Sequence, residues 1–233
     1  MNSFDLYNIL KRVPFLKIGN VDYLDDLRTA LGQLRTKELV PFTSHSKLIG
    51  EVRFGMDVLS IYDFTSDSAI GGTSTTINKD FKQDLWKKCI PTDIVTEFPI
   101  LDKAVSDYLD TPGRCRLSKL SAGKKVMWHS HSYLHTAPLL TEIVLHLPIQ
   151  AVNVKAQIRD SKQQTTYEEE FKEGEVWYLN TWLPHSFSNN GSIDRYHIWY
   201  NAYLTDGEKQ SINLKLHKLL EDALLNYKGP YVD

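Results

Sequence analysis

The chain has 233 residues and a net charge of −2, long enough to bury a sizeable core as one domain, with or without an extension. Its only basic runs are short pairs such as Lys87-Lys88 and Lys124-Lys125, which argues against a nucleic-acid partner. No apolar run approaches the roughly 20 residues of a membrane span, and the first residues carry charges where a signal peptide would be apolar. The two cysteines, Cys89 and Cys115, form neither a disulfide framework nor a C-x-x-C site, so a cytoplasmic protein with no membrane partner is expected.

In chain order, residues 1–48 read as helix and linker. Phe4, Leu6, Ile9 and Leu10 recur at helical spacing, as do Leu24, Leu27 and Leu31. These helices are expected to cover a core, a partner-binding face being the alternative. Residues 49–64 alternate like a strand, and the small polar run 65–80, around Gly71-Gly72, reads as a surface loop rather than a substrate lid. Phe98 to Leu109 carries Ile100, Leu101, Ala104, Val105 and Leu109 on one helical stripe, stopped by Thr111-Pro112-Gly113.

Residues 113–204 read as roughly eight short strands separated by turns such as KEGE and NNGS. The expected class is mainly β, a double-stranded β-helix (jelly roll, cupin-like) with flanking N-terminal and C-terminal helices. The expected division is 1–112 as an extension packed on the core, 113–204 as the core, and 205–233 as a C-terminal amphipathic helix. Ile212, Leu216, Leu219, Leu220 and Ala223 line one face of that helix, which is expected to pack on the core or on a second copy in a homodimer. His217 reads as a solvated surface residue.

The chemistry concentrates in SKLSAGKKVMWHSH, residues 118–131, and PHSFSNNGSIDR, residues 184–195. In a strand, His129 and His131 leave the same face, with Met127 beside them and Trp128 opposite. His185 is a distant third imidazole. Neutral imidazoles suit iron, copper, nickel or zinc, and a facial set with open positions suits non-haem Fe(II). Arg195 opens an apolar strand, where a buried guanidinium demands an anion. Asp194 is adjacent and so faces the other side, which leaves a ligand carboxylate or a salt bridge to another acid. His146, among aliphatics, reads as a hydrogen-bonded core residue or as a donor near the metal. His197, on the face of Arg195, reads as a spare ligand or a polar neighbour of the cofactor.

From Arg114 to Leu204 the chain resembles the aspartyl/asparaginyl β-hydroxylase family of Fe(II)- and 2-oxoglutarate-dependent oxygenases, which includes free-proline hydroxylases. The residues in register are Arg116, Leu120, Gly123, Val126 and His129, then His146-Leu147, then His185 with Asn189, then Arg195. The resemblance implies that His129 and His185 hold the metal. It implies that Ser118 and Arg195 hold the far carboxylate of 2-oxoglutarate, with His146 near its metal-bound end. Val144 departs from the pattern by replacing an arginine, and His131 by replacing aspartate or glycine. Extra residues around SYLHTAPL, 132–139, suggest a different substrate pocket. The expected activity is hydroxylation of an unactivated C–H bond in an amino acid, a similar small molecule or a peptide side chain. A third metal ligand at His131 is expected. Two rivals stay open: a three-histidine zinc hydrolase or lyase, and a catalytically silent jelly-roll binding module.

Overall fold

The computed structural model describes residues 1–34, 39–46, 50–63, 73–74, 89–131, 142–204 and 213–232. The N-terminal part runs α1 (Ser3–Leu10), β1 (Phe15–Asn20), α2 (Leu24–Leu34), β2 (Val40–Ser46), β3 (Gly50–Asp63), β4 (Thr73–Ser74), β5 (Ile90–Pro91), α3 (Asp93–Glu97) and α4 (Pro99–Ser106). Strands β6 (Pro112–Leu120), β7 (Glu142–Gln150), β8 (Val154–Asp160) and β9 (Thr165–Glu170) follow. The chain then passes through β10 (Glu175–Leu179), β11 (His185–Asn189) and β12 (Arg195–Tyr203) to α5 (Leu214–Leu225).

Two sheets face each other as a jelly roll. The nine-stranded sheet runs β1-β10-β7-β12-β6-β3-β2-β4 with β5 on β3, and the three-stranded sheet runs β11-β8-β9. Strand alternation gives the large sheet two unlike faces. Its outer face, with Leu117, Ile143, Leu145, Leu147, Ile198 and Tyr200, packs in one core with α1, α2 and α4. Its inner face sends Phe15, Leu120 and Leu179 against Val154, Ala156, Ile158 and Phe187 of the small sheet.

The mainly β class with helices near both ends agrees with the sequence reading. Residues 15–20 and 40–46 correct it, being strands and not helix or linker. β1 owes its form to a distant partner, pairing Phe15 with Leu179 and Leu16 with Tyr178. The loop expected at 65–80 lies outside the described residues except for Thr73 and Ser74, which form β4; the segment 132–139 also lies outside them.

Residues 125–131 are not the regular strand expected. They meet β11 at two bridges, Lys125 with Ser188 and His129 with His185, so four residue steps on one side face three on the other. That one-residue excess is a bulge. It breaks the alternation and leaves both Met127 and Trp128 exposed, at 53% and 38%.

In the tail, Leu216 and Leu220 are fully buried, and α5 packs on β1 and α1 of its own chain. His217 is not a solvated residue. Its ring nitrogens lie 3.1 Å from Ser3 Oγ and 3.1 Å from the Met1 carbonyl, which ties the N-terminal segment to α5. No helix among the described residues is long and apolar enough to cross a membrane.

Candidate metal and co-substrate site

The bulge brings three histidines together. The ligating nitrogens of His129, His131 and His185 lie within 4.8 Å of one another. Ring centroids are 4.2 Å apart for His129–His185, 5.2 Å for His131–His185 and 5.5 Å for His129–His131. The backbones are fixed by paired bonds, His129 N–H to the His185 carbonyl at 3.1 Å and the reverse at 2.8 Å. His131 N–H donates to the Thr181 carbonyl at 2.9 Å.

Two of the tautomers follow from the bonding. His129 Nδ1 is 2.8 Å from the Met127 carbonyl, and His185 Nδ1 is 3.0 Å from the Leu183 carbonyl. A carbonyl only accepts, so both Nδ1 atoms carry the proton and both Nε2 atoms keep a lone pair. Burial lowers the pKa of both rings. For His129 the carbonyl bond opposes the shift, and His185 is pushed down to about 3 by burial and then by His129. Neutral rings with a lone pair on Nε2 are the form a transition metal binds. Among the described residues no carboxylate joins the group.

A second cluster lies on the inner face of the large sheet. Arg195 is 1% exposed, and its Nε, Nη1 and Nη2 have no hydrogen-bond partner. Its guanidinium lies 4.4 Å from the Phe187 ring centre, and burial alone pushes its pKa down to about 9. Asp194 faces away, as alternation requires, and pairs with Lys119 at 3.2 Å and the Ala122 N–H at 3.1 Å. Ser118 is fully buried, pairs across the sheet with His197, and its Oγ has no partner.

His146 is 5% exposed and neither ring nitrogen is bonded, which corrects the hydrogen-bonded core reading. It stacks on His197 with centroids 5.3 Å apart and sits 5.0 Å from Phe187. Burial, then Arg195, His185 and His129, hold it well below the usual imidazole pKa. His146 thus feels the charge of both clusters. His197 pairs across the sheet with Ser118, and its Nδ1 has no partner.

Buried polar groups are normally paired, and an uncompensated buried cation is costly. A guanidinium fork with a serine hydroxyl beside it, walled by Phe187, fits a carboxylate. Three imidazoles, two of them held neutral by burial, fit a transition metal. The residues present therefore fit both groups implied by the sequence resemblance.

Two supporting roles were only half legible. Asn189 was a motif match without a function; its Nδ2 donates to the Leu120 and Ile193 carbonyls at 3.0 and 2.8 Å, and its Oδ1 accepts from Gly191 N–H at 3.1 Å. It staples the turn that delivers Arg195. Arg116 lies 3.8 Å from Asp63, which Arg114 also grips at 2.9 and 3.0 Å. That cluster fastens β3 to β6. Sequence reasoning missed buried Glu142 and half-buried Asn201 on the same inner face, because a lone acid before an apolar run reads as a solvated strand end.

The comparison with protein families decides the assignment. Residues 78–203, more than half of the chain, match the model described as Aspartyl/Asparaginyl beta-hydroxylase. The chain belongs to that family. As a member of that family it is an enzyme of the hydroxylase class. Among solved structures it is similar to an oxidoreductase of the 2OG-Fe(II) oxygenase family from Burkholderia pseudomallei. The identity is 11%, covering 90% of this chain and 93% of that one, with a TM-score of 0.48. It is also similar to a Pseudomonas putida prolyl-4-hydroxylase, at 10% identity, 84% and 96% coverage and a TM-score of 0.45. A Bordetella pertussis cupin domain shares 10% identity over 37% of this chain and 77% of its own, with a TM-score of 0.28. No curated protein matches the sequence.

Proposed function

We propose that this chain is an Fe(II)- and 2-oxoglutarate-dependent oxygenase hydroxylating an unactivated C–H bond of an amino acid or similar small molecule. One observation carries the reading: the buried, partnerless guanidinium of Arg195 lies on the same inner face as His146, which feels both that charge and the three-histidine cluster. A metal-only hydrolase has no use for that cation.

His129 and His185 would hold Fe(II) through Nε2, with His131 as the third ligand. Arg195 and Ser118 would hold the far carboxylate of 2-oxoglutarate, and His146 would stand near its metal-bound end. When bound, Fe(II) and 2-oxoglutarate supply, from O2, the oxidant that hydroxylates the substrate, with succinate and CO2 as co-products. The chain's own part is orientation and shielding. Phe187 excludes water beneath the guanidinium, and the Met127 and Leu183 carbonyls hold two rings in one tautomer. Residues 113–204 would form the catalytic core, 1–112 its extension and 205–233 its closing helix. The free thiols Cys89 and Cys115 suit a reducing compartment such as the cytoplasm.

Arg195→Lys tests the reading, because it keeps the charge and loses the fork. The apparent 2-oxoglutarate constant should rise far more than the Fe(II) constant, with succinate still formed at saturating co-substrate. Equal damage to both constants would make Arg195 a structural residue and remove the main support.

A further inference from the structure

The inner face carries a second set of incomplete polar groups, of opposite chemistry to the first. Glu142 opens β7 and shares its face with Val144 and His146. It pairs across the sheet with Tyr203, beside the Asn201–Val144 pair. Glu142 is 6% exposed, and its Oε1 accepts a hydrogen bond from Asn201 Nδ2. The remaining oxygens, Glu142 Oε2 and Asn201 Oδ1, are buried and have no donor. Two acceptors side by side with nothing to accept from form a site for a group rich in N–H.

The set belongs to the histidine end of the molecule. Glu142 is near enough to Tyr7 to raise that phenol's pKa, after burial, by its charge. The Tyr7 ring meets Trp182 edge-on at 5.4 Å. Trp182 stands between Thr181, whose carbonyl fixes His131, and Leu183, whose carbonyl fixes His185. Lys11 lies over the Tyr7 and Trp182 rings, 4.7 and 4.9 Å from their centres, and leaves Glu142 Oε2 unpaired.

We propose that Glu142 and Asn201 form the subsite that receives a cationic nitrogen of the substrate, an ammonium or guanidinium group. This rests on the oxygenase reading and names its substrate class: an amino acid or small amine held by its positive charge. Burial, opposed by the Asn201 bond, pushes the Glu142 carboxyl up to about 8, so a proton takes the cation's place until substrate arrives. The arrangement also gives the inner face a direction. Its donors, on Arg195 and Ser118, suit an anionic co-substrate, and its acceptors, beyond His146, suit a cationic substrate.

The test is anaerobic calorimetry on the full chain loaded with Fe(II) and 2-oxoglutarate. The titrants are free L-amino acids, including L-lysine and L-arginine, and the same compounds acetylated at one nitrogen. Wild-type protein should bind at least one free amino acid, and acetylating the recognised nitrogen should weaken binding about tenfold or more, as loss of a buried charge pair does. The near-isosteric Glu142→Gln should still take up Fe(II) and 2-oxoglutarate. It should bind the free amino acid about tenfold or more weakly, and acetylation should then cost it almost nothing. Failure of wild-type protein to take up 2-oxoglutarate would overturn the oxygenase reading and the subsite with it. Normal uptake with no amino acid bound, or an equal acetylation cost on both proteins, would overturn the subsite and leave the oxygenase standing.

Discussion

The two faces of the large sheet come from the same strands and serve opposite ends. Along β7, Ile143, Leu145, Leu147 and Ile149 are at most 1% exposed and pack in the core that α1, α2 and α4 join. The alternate residues Glu142 and His146 are also buried, yet each leaves polar atoms unbonded. On β12, Ile198 and Tyr200 join the outer core, while Arg195 and His197 repeat the inner pattern. The outer face is complete in the chain alone, and its burial stabilises the fold. The inner face is incomplete in the chain alone, costs stability, and is what a bound ligand would finish.

The largest expected effect falls on the outer face. Leu147→Ala should lower unfolding stability by about 2–5 kcal/mol, the usual cost of a cavity in a closed core. Chemical denaturation without ligands measures it. The inner face should respond with the opposite sign. Arg195→Met should leave the ligand-free chain as stable as wild type or more so, by up to about 4 kcal/mol, since it replaces an uncompensated buried charge. The same variant should lose the rise in Tm that 2-oxoglutarate gives wild type. A loss as large as that of Leu147→Ala would erase the contrast between the faces.

Next comes His131→Gly, expected to weaken metal binding about 10–100-fold. His131→Asp should retain it by restoring a carboxylate ligand. Unchanged Fe(II) affinity in His131→Gly would reduce the centre to two histidines. The most gradual effect is a pH dependence. The Glu142 carboxyl is raised from 4.5 to about 8 in the fold. Between those values the folded chain keeps a proton that the unfolded chain has released. The group's contribution is thus fully present in acid and is lost as pH rises, by at most about 1.4 kcal/mol per pH unit. Glu142→Gln should flatten the stability profile between pH 5 and pH 8 by that slope. A profile unchanged by the substitution would mean the carboxyl is not held neutral.

Much of this was legible because period-two patterning and ligand spacing are local signals. Strands β6 to β12 and the residues His129, His131, His185 and Arg195 could be read from alternation, the H-x-H pair and the turn before Arg195. What escaped depends on distant partners. β1 looks like linker until Leu179 lies beside Phe15. The bulge before His129 appears only against the register of β11. His217 looks solvated until Ser3 and Met1 close over it. Glu142 looks like a strand end at solvent until Asn201 of β12 takes its Oε1. His146 was the mixed case, where alternation gave its face and no local pattern could show that both nitrogens stay unbonded.

The central claim is that the histidine centre and the Arg195 cluster together hold a metal-chelated dicarboxylate. Anaerobic titration of the full chain with Fe(II) and then 2-oxoglutarate tests it most directly, by following the visible metal-to-ligand charge-transfer band of the chelate. Wild-type protein should develop the band with saturable dependence on 2-oxoglutarate. His185→Ala should develop none, and Arg195→Lys should need much more 2-oxoglutarate to reach it. Absence of the band in wild-type protein that binds zinc tightly would contradict the account and favour a three-histidine zinc site.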